Sequence, residues 1–484
     1  MDKIGFSLNG GLSREQVEAI HKAVLRILAG VGFGCKHKQT IEAVTASKGI
    51  THQGGRFRFT PSLVNESIER LRAIGRQRKP RERLEVATAW TCFNVVDMQT
   101  NAVRASTAAD VVQMLKLAAA FNKSGPPPVY PCDLDERIQV LWLEKACLEH
   151  TAGLGGAMVS HDPEAVRWLG ELYAAAGKRY VLGLHVVISP LQFDDLALDL
   201  LWQFKDHLKI GVRANICPIP IGGMTAPLAP EGLLAQSLAE SIGSWIAADR
   251  LDMLGENNTL TPDPLPVRVD FGDMRHLTVA YSLPENVMIQ VLLRDLAEHF
   301  AGYKPDSIYL DTNAKRPDSH AVVDRMAYML ILGLAGYRRF WLGAGQLSMD
   351  EIFSPAQFII DMEIGRYVQR ILDGLPWQGD PAQIARTVAE GVEEGNFLTH
   401  DTTLDALPTM FESQLFRGTN VGQWRDAGEP TIEGLALARA QEAIDSYSFR
   451  LDATAQARLD SVFAEACRAV GVKVARQPLP VGVG

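Results

Sequence analysis

Apolar and polar positions along this chain follow two different periods, and the switches between them divide it into three parts. Ser13 to Leu28 opens with Ser-x-x-Gln, a capping box, and carries Ile20, Val24, Leu25 and Leu28 at helical spacing, which predicts a helix with one apolar face. Residues 38 to 47 and 61 to 74 repeat that spacing, the second after Thr60-Pro61. Residues 1–85 therefore read as a mainly helical lead-in. Period two takes over at 88 to 104 around Gln99-Thr100-Asn101, a short hairpin, and Thr107-Ala108-Ala109-Asp110 starts a helix reaching about Phe121.

Past the breaker Ser124-Gly-Pro-Pro-Pro128, short apolar runs alternate with helical stretches. The runs predict strands near 127–132, 154–160, 180–188, 209–218, 250–255, 306–311 and 338–343. Between them the pattern predicts helices near 138–150, 163–176, 191–207, 230–247, 284–300, 317–335 and 355–373. This much strand and helix alternation argues for a parallel sheet closed into a barrel over residues 86–375. The eighth strand is ambiguous. Residues 266–271 follow 250–255 too closely for a helical crossover, so either they form an excursion within a long loop or the hairpin near 92 closes the barrel. From 376 to 484 the pattern is helical again (381–394, 432–446, 453–470), with an irregular stretch, 396–430, expected to lie over the barrel mouth.

The stretch from Asp306 to Gln346 is one complete unit of this pattern. Ser307 to Leu310 is a strand that ends in a polar loop, Asp311 to Lys315. Pro317 and Asp318 suit a helix start, where a missing amide hydrogen costs nothing and a carboxylate meets the positive end of the dipole. Gly336 stops the helix, and Tyr337 to Leu342 is the next strand, followed by Gly343-Ala344-Gly345-Gln346. In parallel sheets ligands collect at the carboxyl ends of strands, so the two polar loops are expected to share one rim.

Composition then narrows the class. With 484 residues, 47% of them apolar, the chain can bury a large core, and 48 basic against 57 acidic residues give a formal net charge of -9. The run Arg76 to Arg83 reads as a solvated connector, so nucleic acid is not an expected partner. Six scattered cysteines without a Cys-x-x-Cys pair read as reduced thiols, and the start MDKIGFSLNGG lacks a secretory pattern. No apolar run approaches a membrane span of roughly 18 residues. A cytoplasmic protein, homo-oligomeric at this size, is the expectation.

Motif searches exclude more than they include. There is no Gly-x-Gly-x-x-Gly after a strand, no Gly-x-x-x-x-Gly-Lys-Ser/Thr and no Gly-x-Ser-x-Gly, so dinucleotide, nucleoside triphosphate and serine-hydrolase chemistry lack their signatures. His320 follows Asp318, but no third ligand stands at recognisable spacing, and no metal is expected. His185, between Leu184 and Val186, reads as an interior residue. What remains is a rim of strand-end residues. Asp311, Asn313 and Gln346 are the candidates for the chemistry. Tyr130, Phe93, His161, Glu256, Tyr309, Trp341, Gly343, Gly345, Asp361 and His400 are the candidates for binding. Asp361 shares a helix face with Phe358, Ile364, Gly365 and Val368, where a carboxylate must find a partner or a ligand. The aromatic rings at the rim suit a cation, a quaternary ammonium group above all, as well as core packing.

Several segments together resemble the trimethylamine methyltransferase family, in the branch that lacks pyrrolysine and includes glycine betaine methyltransferase. They are LSREQVEAIHKAVLRILAGVG, VVDMQTNAVRASTAADVVQMLKLA, PIGGMTAPLAPEGLLAQSLAE, TNAKRPDSHA, LGAGQLSMDEIFSPAQFIIDMEIGR, FLTHDTTL and GQWRDAG, in order along nearly the whole chain. The resemblance implies a (β/α)8 TIM barrel that passes a methyl group from a methylated amine to the reduced cobalt of a corrinoid held by a separate protein. It also implies that no cofactor is bound by this chain, which has no Asp-x-His-x-x-Gly of its own. In the pyrrolysine-containing relatives the special residue falls in a loop similar to Gln346 to Met349, and ordinary residues here disfavour trimethylamine as substrate. Asn313 stands where the family pattern has an aspartate, and 256 to 285 departs from the common pattern. A substrate carboxylate would want His161, His400 or the amides of Gly343 to Gln346. The readings to separate are a corrinoid-dependent methyltransferase for a betaine-like quaternary amine, a non-catalytic betaine binder, and a metal-assisted barrel hydrolase or lyase.

Overall fold

Ser13 accepts from the Gln16 amide while its own amide donates to Gln16 Oε1 at 2.8 Å, so the predicted capping box starts the first helix, Arg14–Arg26. The computed structural model describes residues 2–5, 7–8, 11–156, 162–207, 211–251, 265, 267–377 and 379–472, with backbone alone for 2–4, 181–188, 205–207 and 211–217. Helices Lys38–Thr45 and Pro61–Gly75 follow as expected. The lead-in is not only helical: Ile50–Gln53 and Arg56–Phe59 form an antiparallel hairpin, and Phe33–Gly34 pairs on its second strand. Gly54-Gly55 makes the turn at φ 59° and 75°, a conformation that favours two glycines. Phe33, Phe57 and Phe59 from this hairpin are buried with Leu28 and hold the lead-in to helix Pro230–Arg250, where Gly243 leaves room for the Phe33 ring.

The central pattern appears as a series of parallel pairings. Ser307–Tyr309 runs parallel to Arg339–Ala344, which runs parallel to Glu85–Thr88. Parallel bridges then join Cys92 to Val129 and Gly125 to Leu154, and Val181–Ile188 pairs in parallel with Gly211–Pro218. Near 127–132 only that single bridge is found, and of the strands expected at 154–160 and 250–255 residues 157–160 and 252–255 lie outside the described residues. Asp270–Asp273 pairs in parallel with Ile221–Gly222 and folds back antiparallel on Thr278–Val279. Beside Arg339–Ala344 lies Glu85–Thr88, shortly before the Asn94–Val96 and Val103–Ala105 hairpin.

Helices flank these strands at the expected places, from Gln139–His150 through Pro355–Leu372. The 317–335 helix is split by one wider turn, Tyr328–Leu332, between Ser319–Ala327 and Gly333–Ala335. Pro381–Glu394, Ile432–Ser446 and Ala453–Ala469 match the C-terminal pattern. Ile432–Ser446 buries Ala436, Ala440 and Ile444, four residues apart, between helices Ala108–Ala120 and Pro355–Leu372. From the 396–430 stretch, Ser413 Oγ and the Gln414 amide donate to Glu363 of helix Pro355–Leu372 at 2.5 and 2.8 Å, and Phe411 packs on Tyr367 of the same helix. The five described cysteines are free thiols, and no described helix is long and apolar enough to cross a membrane.

Candidate functional site

The loops after the Ser307–Tyr309 and Arg339–Ala344 strands meet, as parallel neighbours must. Ser348 and Met349 donate their amides to the carbonyls of Ala314 and Thr312 at 2.8 and 3.1 Å. Ser348, Met349 and Asp350 have φ of 53°, 53° and 74°, three consecutive left-handed residues without a glycine, and Leu342 has φ 53° at the strand end. Each such residue costs about 1–2 kcal/mol, so the surrounding contacts must impose the turn, and strain of this kind gathers at functional sites.

What the turn does is bring Asp350 back to Gln346. The Gln346 Nε2 donates to Asp350 and, at 3.1 Å, to Asp311 Oδ1, while its Oε1 accepts from the Trp90 amide at 3.0 Å. Arg268 closes the group from the long loop: Nε donates to Asp270 at 2.7 Å and Nη2 to Asp311 at 2.8 Å and to the Tyr281 hydroxyl at 3.2 Å. Its flat face lies 4.2 Å from the centre of the Tyr309 ring, which stacks on Trp341 at 4.6 Å. Burial, with help from Asp350 and Asp270 and against Arg268, pushes the Asp311 carboxyl above the ordinary carboxylate range. Asp350 is pushed up too, by the protein around it, although its side chain keeps an open face to solvent that moderates the effect. The result is an aromatic-faced cluster with more carboxylates than cations.

A second, dry layer holds the rim together. Arg325 is wholly buried and donates to the carbonyls of Leu310, Gly343 (2.9 Å) and Gln346, so one guanidinium ties both strand ends. Asp361, also wholly buried, stands 3.4 Å from Arg325 Nε and accepts from the Gly345 amide at 2.8 Å and Gln357 Nε2 at 2.7 Å. The carboxylate on the apolar helix face has thus found its partners inside the protein. Gly343 and Gly345 are there for close approach: a Cβ on Gly343 would stand 2.0 Å from the Leu310 carbonyl oxygen, and one on Gly345 would stand 2.6 Å from the Phe353 ring.

Of the predicted site residues, Asp311, Gln346, Tyr309 and Trp341 come together as expected. Asn313 is adjacent, but its amide is engaged with the fold-back strand, accepting from the Ser282 amide at 3.0 Å and donating to the Val279 carbonyl at 2.8 Å. Phe93 and Tyr130 pack edge to face at 5.4 Å on the neighbouring Cys92 and Val129 pairing, and the Phe93 ring is exposed. His400 caps helix Asp401–Ala406 and faces Glu390 at 3.4 Å, with no described contact to the cluster. The Gly345 amide, offered for a substrate carboxylate, is given to Asp361. His161 and Glu256 lie outside the described residues. Sequence reasoning missed Arg268, Asp270, Tyr281, Asp350 and Arg325. The one signal was Arg-Val-Asp at 268–270, where alternate residues of an extended segment face one side. Among the described residues no group of three or more His, Cys, Asp and Glu side chains is placed to hold a metal ion.

The family model described as trimethylamine methyltransferase matches residues 6–469, and the chain belongs to that family of methyltransferases. It is 22% identical over 479 residues to the trimethylamine methyltransferase of Desulfitobacterium hafniense, covering 92% of this chain and 91% of that one. The glycine betaine methyltransferase of the same species is 23% identical over 416 residues, covering 81% and 83%. A trimethylamine methyltransferase of Methanosarcina thermophila is 22% identical over 248 residues, about half of each chain.

Proposed function

We propose that the cluster of Arg268, Asp270, Asp311, Gln346 and Asp350 binds a quaternary amine, as the name of the glycine betaine methyltransferase relative suggests, and presents one of its methyl groups to the reduced cobalt of a corrinoid carried by a separate protein. The observation that carries this reading is the excess of carboxylates over cations in the described rim, because fixed negative charge attracts an alkylated nitrogen; the Tyr309 faces are themselves taken by Arg268 and Trp341. The chemistry asks little else of the protein. Cobalt supplies the electron pair of the new carbon–cobalt bond, the carbon–nitrogen pair stays on nitrogen, and a neutral tertiary amine leaves, so no proton must move. Positioning and exclusion of water are the contributions open to the chain, and the Arg325–Asp361 layer fixes the rim for both.

The parallel series 307–309, 339–344, 85–88, 92 with 129, 125 with 154, and 181–188 with 211–218 supports closure as a (β/α)8 barrel over 86–375, with 1–85 and 376–484 packed outside it. The test is anaerobic: purified enzyme, free cob(I)alamin and a panel of quaternary amines, followed by the visible spectrum. Enzyme-dependent loss of the cob(I)alamin spectrum with at least one amine is expected. A silent panel under reducing conditions refutes the reading, and tight binding without turnover would make the chain a binding protein.

A further inference from the structure

Four charged side chains meet at the rim, and they do not balance. Among the described residues Arg268 is the one cation bonded within the group of Asp270, Asp311 and Asp350, a formal sum of -2 when all are ionised, while the Arg325 charge is matched by Asp361 in the layer beneath. Nor is Arg268 free to clasp an anion. Its Nε hydrogen goes to Asp270, the Nη2 hydrogens go to Asp311 and Tyr281, and one face of the guanidinium plane is covered by Tyr309. Only Nη1 is left, so the two-pronged grip by which arginine recognises a carboxylate is already spent inside the protein. The Gly345 amide is spent likewise on Asp361. Asp350, by contrast, is an exposed residue at the rim, and its carboxylate accepts from Gln346.

We infer that this site selects a quaternary ammonium compound that carries no carboxylate, a choline-like cation, over a zwitterionic betaine. This rests on the quaternary-amine reading above and goes beyond it by naming the charge of the rest of the substrate. Choline and glycine betaine share the trimethylammonium head and differ at the far end, hydroxymethyl against carboxylate, so they isolate the effect. A betaine brings a fourth anion toward three carboxylates and finds no paired donors among the described residues. A cation finds an unmatched charge.

The experiment is binding by calorimetry to the full chain, without corrinoid, using choline, tetramethylammonium and glycine betaine. Choline and tetramethylammonium are expected to bind at least tenfold more tightly than glycine betaine, and Asp350→Asn is expected to narrow that gap to threefold or less. Asparagine tolerates the left-handed backbone at φ 74°, and a circular dichroism melt confirms that the variant is folded. Glycine betaine binding equally or more tightly overturns the charge selection and leaves the quaternary-amine reading standing. An undiminished gap in Asp350→Asn also overturns it. No binding by any of the three overturns both.

Discussion

Asp361→Asn changes one oxygen to a nitrogen at the centre of the dry layer, and its cost can be worked from the contacts. Arg325 and Asp361 are both fully buried, and the Arg325 Nε hydrogen has no well-formed hydrogen bond, only the ion pair at 3.4 Å. The carboxylate also accepts from the Gly345 amide and from Gln357 Nε2, three donors converging on one acceptor-only group. An asparagine offers one acceptor and turns an NH2 toward a remaining donor, while a guanidinium is left buried without its counter-charge. Removing one partner of a buried pair costs about 3–5 kcal/mol, a large share of a typical 5–15 kcal/mol of total stability. The assay is urea unfolding of the wild type, Asp361→Asn, Arg325→Met and the double variant, followed by tryptophan fluorescence. The double variant should lose clearly less than the two single losses together, with a coupling above about 1 kcal/mol. A loss below about 1 kcal/mol for Asp361→Asn, or strict additivity, would refute the reading of this pair as what fixes the rim.

Gln346→Leu keeps the size but removes the donor between Asp311 and Asp350. Methyl transfer should fall at least tenfold, with a loss of about 1–3 kcal/mol of stability from the partners left unsatisfied, and an unchanged kcat/KM would show that the amide is passive. Asn313→Asp restores the residue of the family pattern but sets a carboxylate against the Val279 carbonyl in place of a 2.8 Å hydrogen bond. About 1–3 kcal/mol should be lost from the fold-back strand, read as a raised KM and faster amide exchange over 278–282. Affinity for a cation should depend on pH. A bound cation favours ionised Asp311 and Asp350, whose carboxyls are held above their ordinary 3.8 in the free protein, so binding should strengthen as pH rises above that value and level off once both are ionised in the free protein. Calorimetry with tetramethylammonium from pH 5 upward would show it, and an affinity flat in pH would count against these carboxylates as the cation's partners.

The unit from 306 to 346 was legible because it is local: a strand, a capped helix and a parallel strand each obey one period, and their loops must then be neighbours. Asp361 was legible for the same reason, a carboxylate in an apolar helical stripe, although the period could not say that its partner is Arg325 from a different helix. The Gly54-Gly55 hairpin was missed beside strong helical signals, despite a dipeptide that favours such turns. Arg268 showed only as half of the Arg-Val-Asp alternation, because its segment is placed by pairing with the distant Ile221–Gly222, and Asp350 sits in a turn that no local preference predicts.

That turn explains why the rest of the rim is built so tightly. Left to itself, Ser348-Met349-Asp350 would relax to right-handed or extended backbone and carry the Asp350 carboxylate away from Gln346. It is held by amide bonds to Thr312 and Ala314, by the Ser348 hydroxyl donating to Glu351 at 2.6 Å, and by Thr278 reaching Met349 Sδ at 2.7 Å. Those anchors lie on three separate segments, and Arg325 grips the Gln346 carbonyl before the turn and the Leu310 carbonyl of the neighbouring strand. The buried ion pair, the two close-packed glycines and the fold-back strand therefore serve one end: they keep a strained loop in the one conformation that gathers three carboxylates at an aromatic rim.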